Sequence, residues 1–264
     1  MKSRLFSGFS LTEVMLSMAI VGIIAAITVP VVTNHYQKQS LLTLLQKNYV
    51  ELDNNLTTLQ TENIHGNLYT SILAKTKTDA GNFLKSYYKV KQDCGETAQP
   101  CFASAYSSIN TPATMVNFSC NGYSVTVAGG AAICIVPATN RFVPIHRPFT
   151  PGGRTPVTGS SRPIGSNFPV VGGGVELRPT EYTRVQIPAI VYIDTNGPET
   201  PNISGRDLFR FFIYNDYTID EVNPNLADTD KATARNNFSE TCLTSTNGSG
   251  CFSRIYENDW KMDY

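Results

Sequence analysis

From Val14 to Val32 the chain carries nineteen consecutive residues without a formal charge, VMLSMAIVGIIAAITVPVV. Wound as an α-helix at about 1.5 Å per residue, this run covers about the 30 Å hydrocarbon core of a bilayer. A helix apolar on every side cannot stay in water, so it sits in lipid or is buried against other apolar surface. Glu13, at the edge of the run, is the only formally charged residue between Arg4 and Lys38. Lys2 and Arg4 precede the run and a large polar region follows. The positive-inside bias places the N-terminus in the cytoplasm and residues from about 36 onward outside. A signal peptide has an apolar stretch of about 7–15 residues and a small-residue cut site after it. This run is longer, and no clean site of that kind follows. A plain one-pass anchor leaves Glu13 unexplained, since an ionisable group at the membrane usually has a partner.

The residues Gly8-Phe9-Ser10-Leu11-Thr12-Glu13, followed by the apolar run, resemble the prepilin signature of type IV pilins and type II secretion pseudopilins. The resemblance covers about residues 2–32. It implies cleavage by a prepilin peptidase between Gly8 and Phe9, then N-methylation of the new Phe9 amine. It implies that Glu13 neutralises the Phe9 amine of a neighbouring subunit during assembly. Pro30 falls where many type IV pilins have a helix-kinking proline. The partners implied are other pilins or pseudopilins in a homo- or hetero-oligomer, the prepilin peptidase and the inner-membrane assembly machinery. The implied location is the bacterial inner membrane, single pass with the head periplasmic, and then a pilus or pseudopilus.

The resemblance gives a leader over 1–8, a helix over 9–64 with its transmembrane part at 14–32, and a head over 65–264. The residues themselves support the helix. Leu41, Leu45, Tyr49, Leu52, Leu56 and Leu59 recur in steps of four and three, an amphipathic stripe expected to pack on the protein's own domain, with a separate coiled coil as the alternative. His65-Gly66-Asn67 supplies a stop. Residues 68–91 read as helical in pieces, broken near Thr78-Asp79 and Gly81. Beyond Cys94 the pattern turns to β. Runs at 115–119, 123–128 and 131–136 are linked by Asn121-Gly122 and Gly129-Gly130, and 186–194 and 208–215 are two more. The expected fold class is α+β: a long N-terminal helix packed on a meander of about four to six antiparallel strands.

Residues 137–181 interrupt that pattern with many Pro and Gly and with Arg141, Arg147, Arg154, Arg162 and Arg178, opposed only by Glu176 and Glu181. A long loop of this kind is functional or disordered. The plainer reading is an exposed insertion. The other is a basic surface for DNA, lipid headgroups or a neighbouring subunit. No aromatic ladder interleaves the arginines, which argues against single-strand nucleic-acid binding. The 21 Lys+Arg against 21 Asp+Glu give a net charge of zero, so nucleic acid is not an expected partner.

Six cysteines, Cys94, Cys101, Cys120, Cys134, Cys242 and Cys251, lie on the non-cytoplasmic side of the expected span and read as disulfides. Six allow fifteen pairings, among which sequence does not choose. Neighbour pairing is the favoured set: Cys94–Cys101, Cys120–Cys134 across a hairpin, and Cys242–Cys251. The last pair resembles the disulfide-bounded C-terminal loop of many type IV pilins. Asp194-Thr195-Asn196-Gly197, with Pro201-Asn202, Gly205 and Asp207, places short oxygen-bearing side chains on one loop. The plainer reading is a turn between strands with Asp side chains capping amides. The other is a Ca²⁺ site on Asp194, Asn196 and Asp207, although the bidentate Glu of an EF-hand is missing. Apart from that ion, no cofactor is expected.

The chain has three histidines, His35, His65 and His146, and none lies in HExxH; GxSxG and Walker-type loops are also missing from the sequence. Asp216, Asp220, Glu221, Asp228 and Asp230 read as a polar acidic loop. The sequence therefore points to a structural subunit with no catalytic residues. The alternative is a membrane-anchored ligand-binding head that does not polymerise.

Overall fold

A computed structural model describes residues 10–62, 73, 75–137, 142–145, 183–186, 189–214, 217–222, 235 and 237–264. Helix α1 (Leu11–Glu62) runs for 52 residues and contains Pro30. Proline removes one backbone donor, yet the helix continues past it, and the Thr33 hydroxyl donates to the Pro30 carbonyl at 3.1 Å. Residues 11–30 of α1 are exposed throughout. In the second half, Leu41, Leu45, Leu52, Leu56 and Leu59 are each no more than 5% exposed, so the stripe read from their spacing is the buried face. Tyr49, between them, stacks within 5.1 Å of Phe252 and 5.8 Å of Trp260 by ring centroids.

Helix α2 (Lys77–Tyr87) corrects the expectation of broken helical pieces. Thr76 is its N-cap, accepting from the Asp79 amide at 3.1 Å, while the Thr76 hydroxyl donates to the Asp79 carboxylate at 2.6 Å. Thr78 and Asp79 therefore start the helix rather than break it. Gly81 is a point of close approach: a Cβ there would lie 2.7 Å from the Tyr123 ring. The helix buries Ala80, Phe83 and Leu84.

The strands are β1 (Val90–Gly95), β2 (Ala105–Ser108), β3 (Met115–Asn117), β4 (Tyr123–Val127), β5 (Ala132–Pro137), β6 (Phe142–Ile145), β7 (Thr183–Gln186), β8 (Ala189–Asp194), β9 (Ile203–Ser204), β10 (Leu208–Ile213) and β11 (Ile219–Asp220). Among the described residues nine form one curled sheet in the order β1-β4-β5-β8-β10-β9-β2-β3, with β11 on β10, and β6 pairs with β7 separately. The sheet is larger than the expected four to six strands, and it is mixed. β9 runs parallel to both β10 and β2. The run read as one strand over 186–194 divides between β7 and β8, which belong to different sheets. β1 escaped the sequence reading because its middle residues are exposed on both faces and two register shifts interrupt its pairing, so apolar alternation is lost.

The central strands β5, β8 and β10 alternate cleanly. Val191, Ile193, Phe209, Phe211, Ile133 and Ile135 turn to the α1 leucines and form one core with α2. The opposite face holds Ala132, Cys134 and Leu208 beneath Phe102 and Tyr106, a second and smaller core. After a 3₁₀ turn (Glu240–Leu243), helix α3 (Cys251–Glu257) adds Phe252 and Ile255 to the first core. The chain ends against α1: Lys38 Nζ donates to the main-chain oxygen of Tyr264, and the Tyr264 hydroxyl donates to the Gly205 carbonyl at 2.6 Å.

Candidate functional site

The start of α1 is built by two residues. The Glu13 amide donates to Ser10 Oγ at 3.3 Å, and Glu13 Oε2 accepts from the Ser10 amide at 2.9 Å and from its hydroxyl at 3.0 Å. This reciprocal pair is a capping box, which satisfies donors that a helix N-terminus otherwise leaves open. The Ser-x-x-Glu spacing was legible in the sequence, where Glu13 was read only as an intersubunit group. Glu13 Oε1 accepts no hydrogen bond among the described residues. Gly8 and Phe9 lie outside the described residues. Beyond the cap, Leu11, Met15, Met18, Ile23 and Ile27 are each at least 63% exposed. α1 is long and apolar enough to cross a membrane, and none of its most apolar window is buried.

The loop 194–207 joins the end of β8 to the start of β10, where Asp194 is in register with Leu208. Asp194 and Asp207 are both fully buried. Asp194 Oδ2 accepts from the Tyr106 hydroxyl, and Oδ1 from the Asn196 amide at 3.3 Å. Asp207 Oδ1 accepts from the amides of Ile203 at 2.8 Å and Leu208 at 2.9 Å, whereas Oδ2 has no partner. Burial pushes the Asp194 carboxyl up to about 7. Burial, and then the charge of Asp194, pushes Asp207 up to about 8. The structure thus brings Asp194 and Asp207 into one electrostatic unit. Asn196 donates its side-chain amide to the Glu199 carbonyl at 2.7 Å, leaving its Oδ1 buried without a partner. Among the described residues no group of three or more His, Cys, Asp or Glu is placed to hold a metal ion.

The cysteines form three disulfides, Cys94–Cys101, Cys120–Cys134 and Cys242–Cys251. The first two fasten the segment carrying Phe102 and Tyr106 over the sheet. The third closes the loop ahead of α3, and Glu221 clasps that loop to the sheet by accepting from the Gly250 amide at 2.8 Å and the Ser253 amide at 3.0 Å. Nothing in the sequence set Glu221 apart from its acidic neighbours. Of the Arg-rich stretch 137–181, residues 138–141 and 146–181 lie outside the described residues, as do His65 and His146.

The prokaryotic N-terminal methylation motif matches residues 3–29 of this chain. That motif is the signature of type IV pilin and pseudopilin prepilin-like proteins, and the long α1 ahead of a curled mixed sheet is an α+β, pilin-like arrangement. No curated protein and no solved structure matches the chain.

Proposed function

We propose that this chain is a prepilin, a structural subunit that polymerises through α1 into a type IV pilus or a type II secretion pseudopilus. A prepilin peptidase removes residues 1–8 by cutting between Gly8 and Phe9, and the Phe9 amine is then methylated. The observation that carries this reading is α1 itself. It is one unbroken helix whose second half buries its leucine face in the head and whose first half exposes apolar side chains. Lipid covers that half during storage in the inner membrane, with the head on the periplasmic side. Once the helix leaves the lipid, the same surface packs against the α1 helices of other subunits.

Glu13 fits the assembly role because, among the described residues, its capping box occupies one carboxylate oxygen only. The free oxygen then accepts from the methylated Phe9 amine of a neighbour. A charge pair buried among apolar helices contributes little net stability and sets their register instead. The protein is a part of a machine rather than a catalyst.

The test is mass spectrometry of the N-terminus in filaments sheared from cells and in the washed membrane pellet. A peptide beginning at N-methyl-Phe9 is expected. Its dominance in the sheared fraction assigns a surface pilin, and its retention in the membrane assigns a pseudopilin or minor subunit. An intact Met1, or a cut elsewhere, overturns the reading. In parallel, Glu13→Ala is expected to insert into the membrane normally and to be lost from filaments.

A further inference from the structure

We propose that the cavity between β3, β10 and residues 246–249 binds a carboxylate carried on a small apolar body, with Arg210 as its anchor. The cavity arises from a gap in the sheet. β9 is two residues long and reaches β10 only at Leu208, and β11 takes up the pairing only at Phe212. Among the described residues, Phe209, Arg210 and Phe211 therefore have a strand partner on the β8 side alone. The space left beside them, about 220 Å³, is bounded by Asn117, Phe118 and Ser119 at the end of β3 and by residues 246–249. A drug-sized pocket takes about 300–1,000 Å³, so this one suits a ligand the size of a side chain or a simple acid.

Arg210 lines the cavity, half-buried and in register with Tyr192 across the β8–β10 ladder. Its guanidinium lies 5.3 Å from the Phe212 ring centre and makes no hydrogen bond or ion pair with any described residue. An arginine cannot shed its charge, and a partly buried charge without a partner is costly. Glu221 also lines the cavity, but its carboxylate is taken up by the amides of Gly250 and Ser253. The acceptor therefore comes from outside the chain.

The surroundings select its chemistry. A guanidinium presents paired donors that match the two oxygens of a carboxylate. One cation balances one negative charge, and a phosphate dianion would set its second charge against Glu221. The walls receive an apolar body: Phe118 meets Tyr192 edge to face at 5.5 Å, with Val116 and Leu208 beside them. β3 is an edge of the sheet and Val116 is 56% exposed, which leaves two ways in. A free acid can enter from solution, or an extended peptide lying along β3 can insert an acidic side chain.

The experiment uses the full chain in neutral detergent micelles, with ¹⁵N-labelled arginine and benzoate as the probe. Arg210→Gln identifies the Arg210 Nε–H resonance by its loss. Benzoate is expected to shift that resonance saturably, whereas benzyl alcohol, its uncharged analogue, leaves it in place. In calorimetry Arg210→Gln is expected to bind benzoate about tenfold more weakly or worse, the loss that follows from removing hydrogen bonds between charged groups. Ser119→Trp lies at an exposed position on the cavity wall, so it keeps the core and Arg210 while filling the space. It is expected to weaken benzoate by a similar factor, and it carries the test should Arg210→Gln not fold. A second probe, acetyl-Phe-Glu-Phe-amide, separates the two sources: tighter binding than benzoate assigns a polypeptide partner, weaker binding assigns a free small acid, and either sustains the site. The proposal is overturned if benzoate leaves the Arg210 resonance unmoved or if benzyl alcohol shifts it equally. It is also overturned if either variant, folded, binds benzoate as tightly as the wild type, or if phenyl phosphate binds more tightly than benzoate.

Discussion

Replacing Glu221 by glutamine tests how the C-terminal helix is fastened to the sheet. Glu221 follows β11 and is 2% exposed, and its carboxylate accepts from the amides of Gly250 and Ser253 and from the Ser253 hydroxyl. Burial works against the charge, while those hydrogen bonds and Arg210 work for it. Burial wins, and the carboxyl rises from 4.5 to about 7. At about 1.4 kcal/mol for each tenfold change in proton affinity, that rise is worth about 3 kcal/mol. The sign follows from proton counting. Between pH 4.5 and about 7 the folded chain holds a proton that the unfolded chain has released, so stability falls as pH rises. The contribution is fully present below 4.5 and gone above about 7. Glutamine does not titrate. The wild-type unfolding free energy minus that of Glu221→Gln is therefore expected to drop by about 3 kcal/mol between about pH 4 and about pH 8. Taking the difference removes the other carboxyls, which titrate alike in both proteins. Urea unfolding followed by the single Trp260 is the assay, since that ring lies 6.0 Å from Phe252 on α3. A difference that stays flat, or that grows with pH, refutes the argument.

Three further outcomes are expected. Leu52→Ala removes a side chain with no exposed surface from the centre of the α1 stripe, and should lower stability by about 3 kcal/mol in thermal unfolding followed by circular dichroism. Arg235 pairs with the buried Asp220, reaches Glu257 at 3.6 Å and lies 4.4 Å from the Tyr256 ring centre. Arg235→Met keeps much of the packing but strands the Asp220 charge, so a loss of about 3 kcal/mol is expected in the same assay. Gly248 has φ +74, and a Cβ there would lie 2.3 Å from the Gly205 nitrogen, so Gly248→Ala should cost more than about 2 kcal/mol. Limited proteolysis is expected to cut that variant first within residues 240–250.

The parts of the fold legible in the sequence were those where one periodicity dominates. The α1 stripe was readable because Leu41 to Leu59 meet a single surface, and β8 and β10 because they are dense in Ile, Val, Tyr and Phe. β2 and β9 were not readable. They are short, rich in serine, and buried by what packs on them, so tertiary context decides them. Thr78-Asp79 and Gly81 misled for a related reason. Their residue types suit turns, but Thr76 caps α2 and the Tyr123 ring fills the space beside Gly81. At the candidate site, Asp194 and Asp207 were visible as a spacing, whereas their burial and the unpartnered oxygens depend on the sheet register. Glu221 carried no local signal, because its partners lie 29 and 32 residues further along the chain.

The way α1 is seated also fixes how the subunit bears load. Leu41, Leu45, Leu52, Leu56 and Leu59 are buried along about 27 Å of helix axis. Tension applied along the exposed half enters the head parallel to that row, so its contacts are sheared together. A transverse tug would instead peel them one at a time. The chain's last residue, clasped to Lys38 where the rod enters, keeps that end of the row from lifting first. A head held in this way resists an axial pull far better than a sideways one, as a rod drawn from a fitted sleeve does.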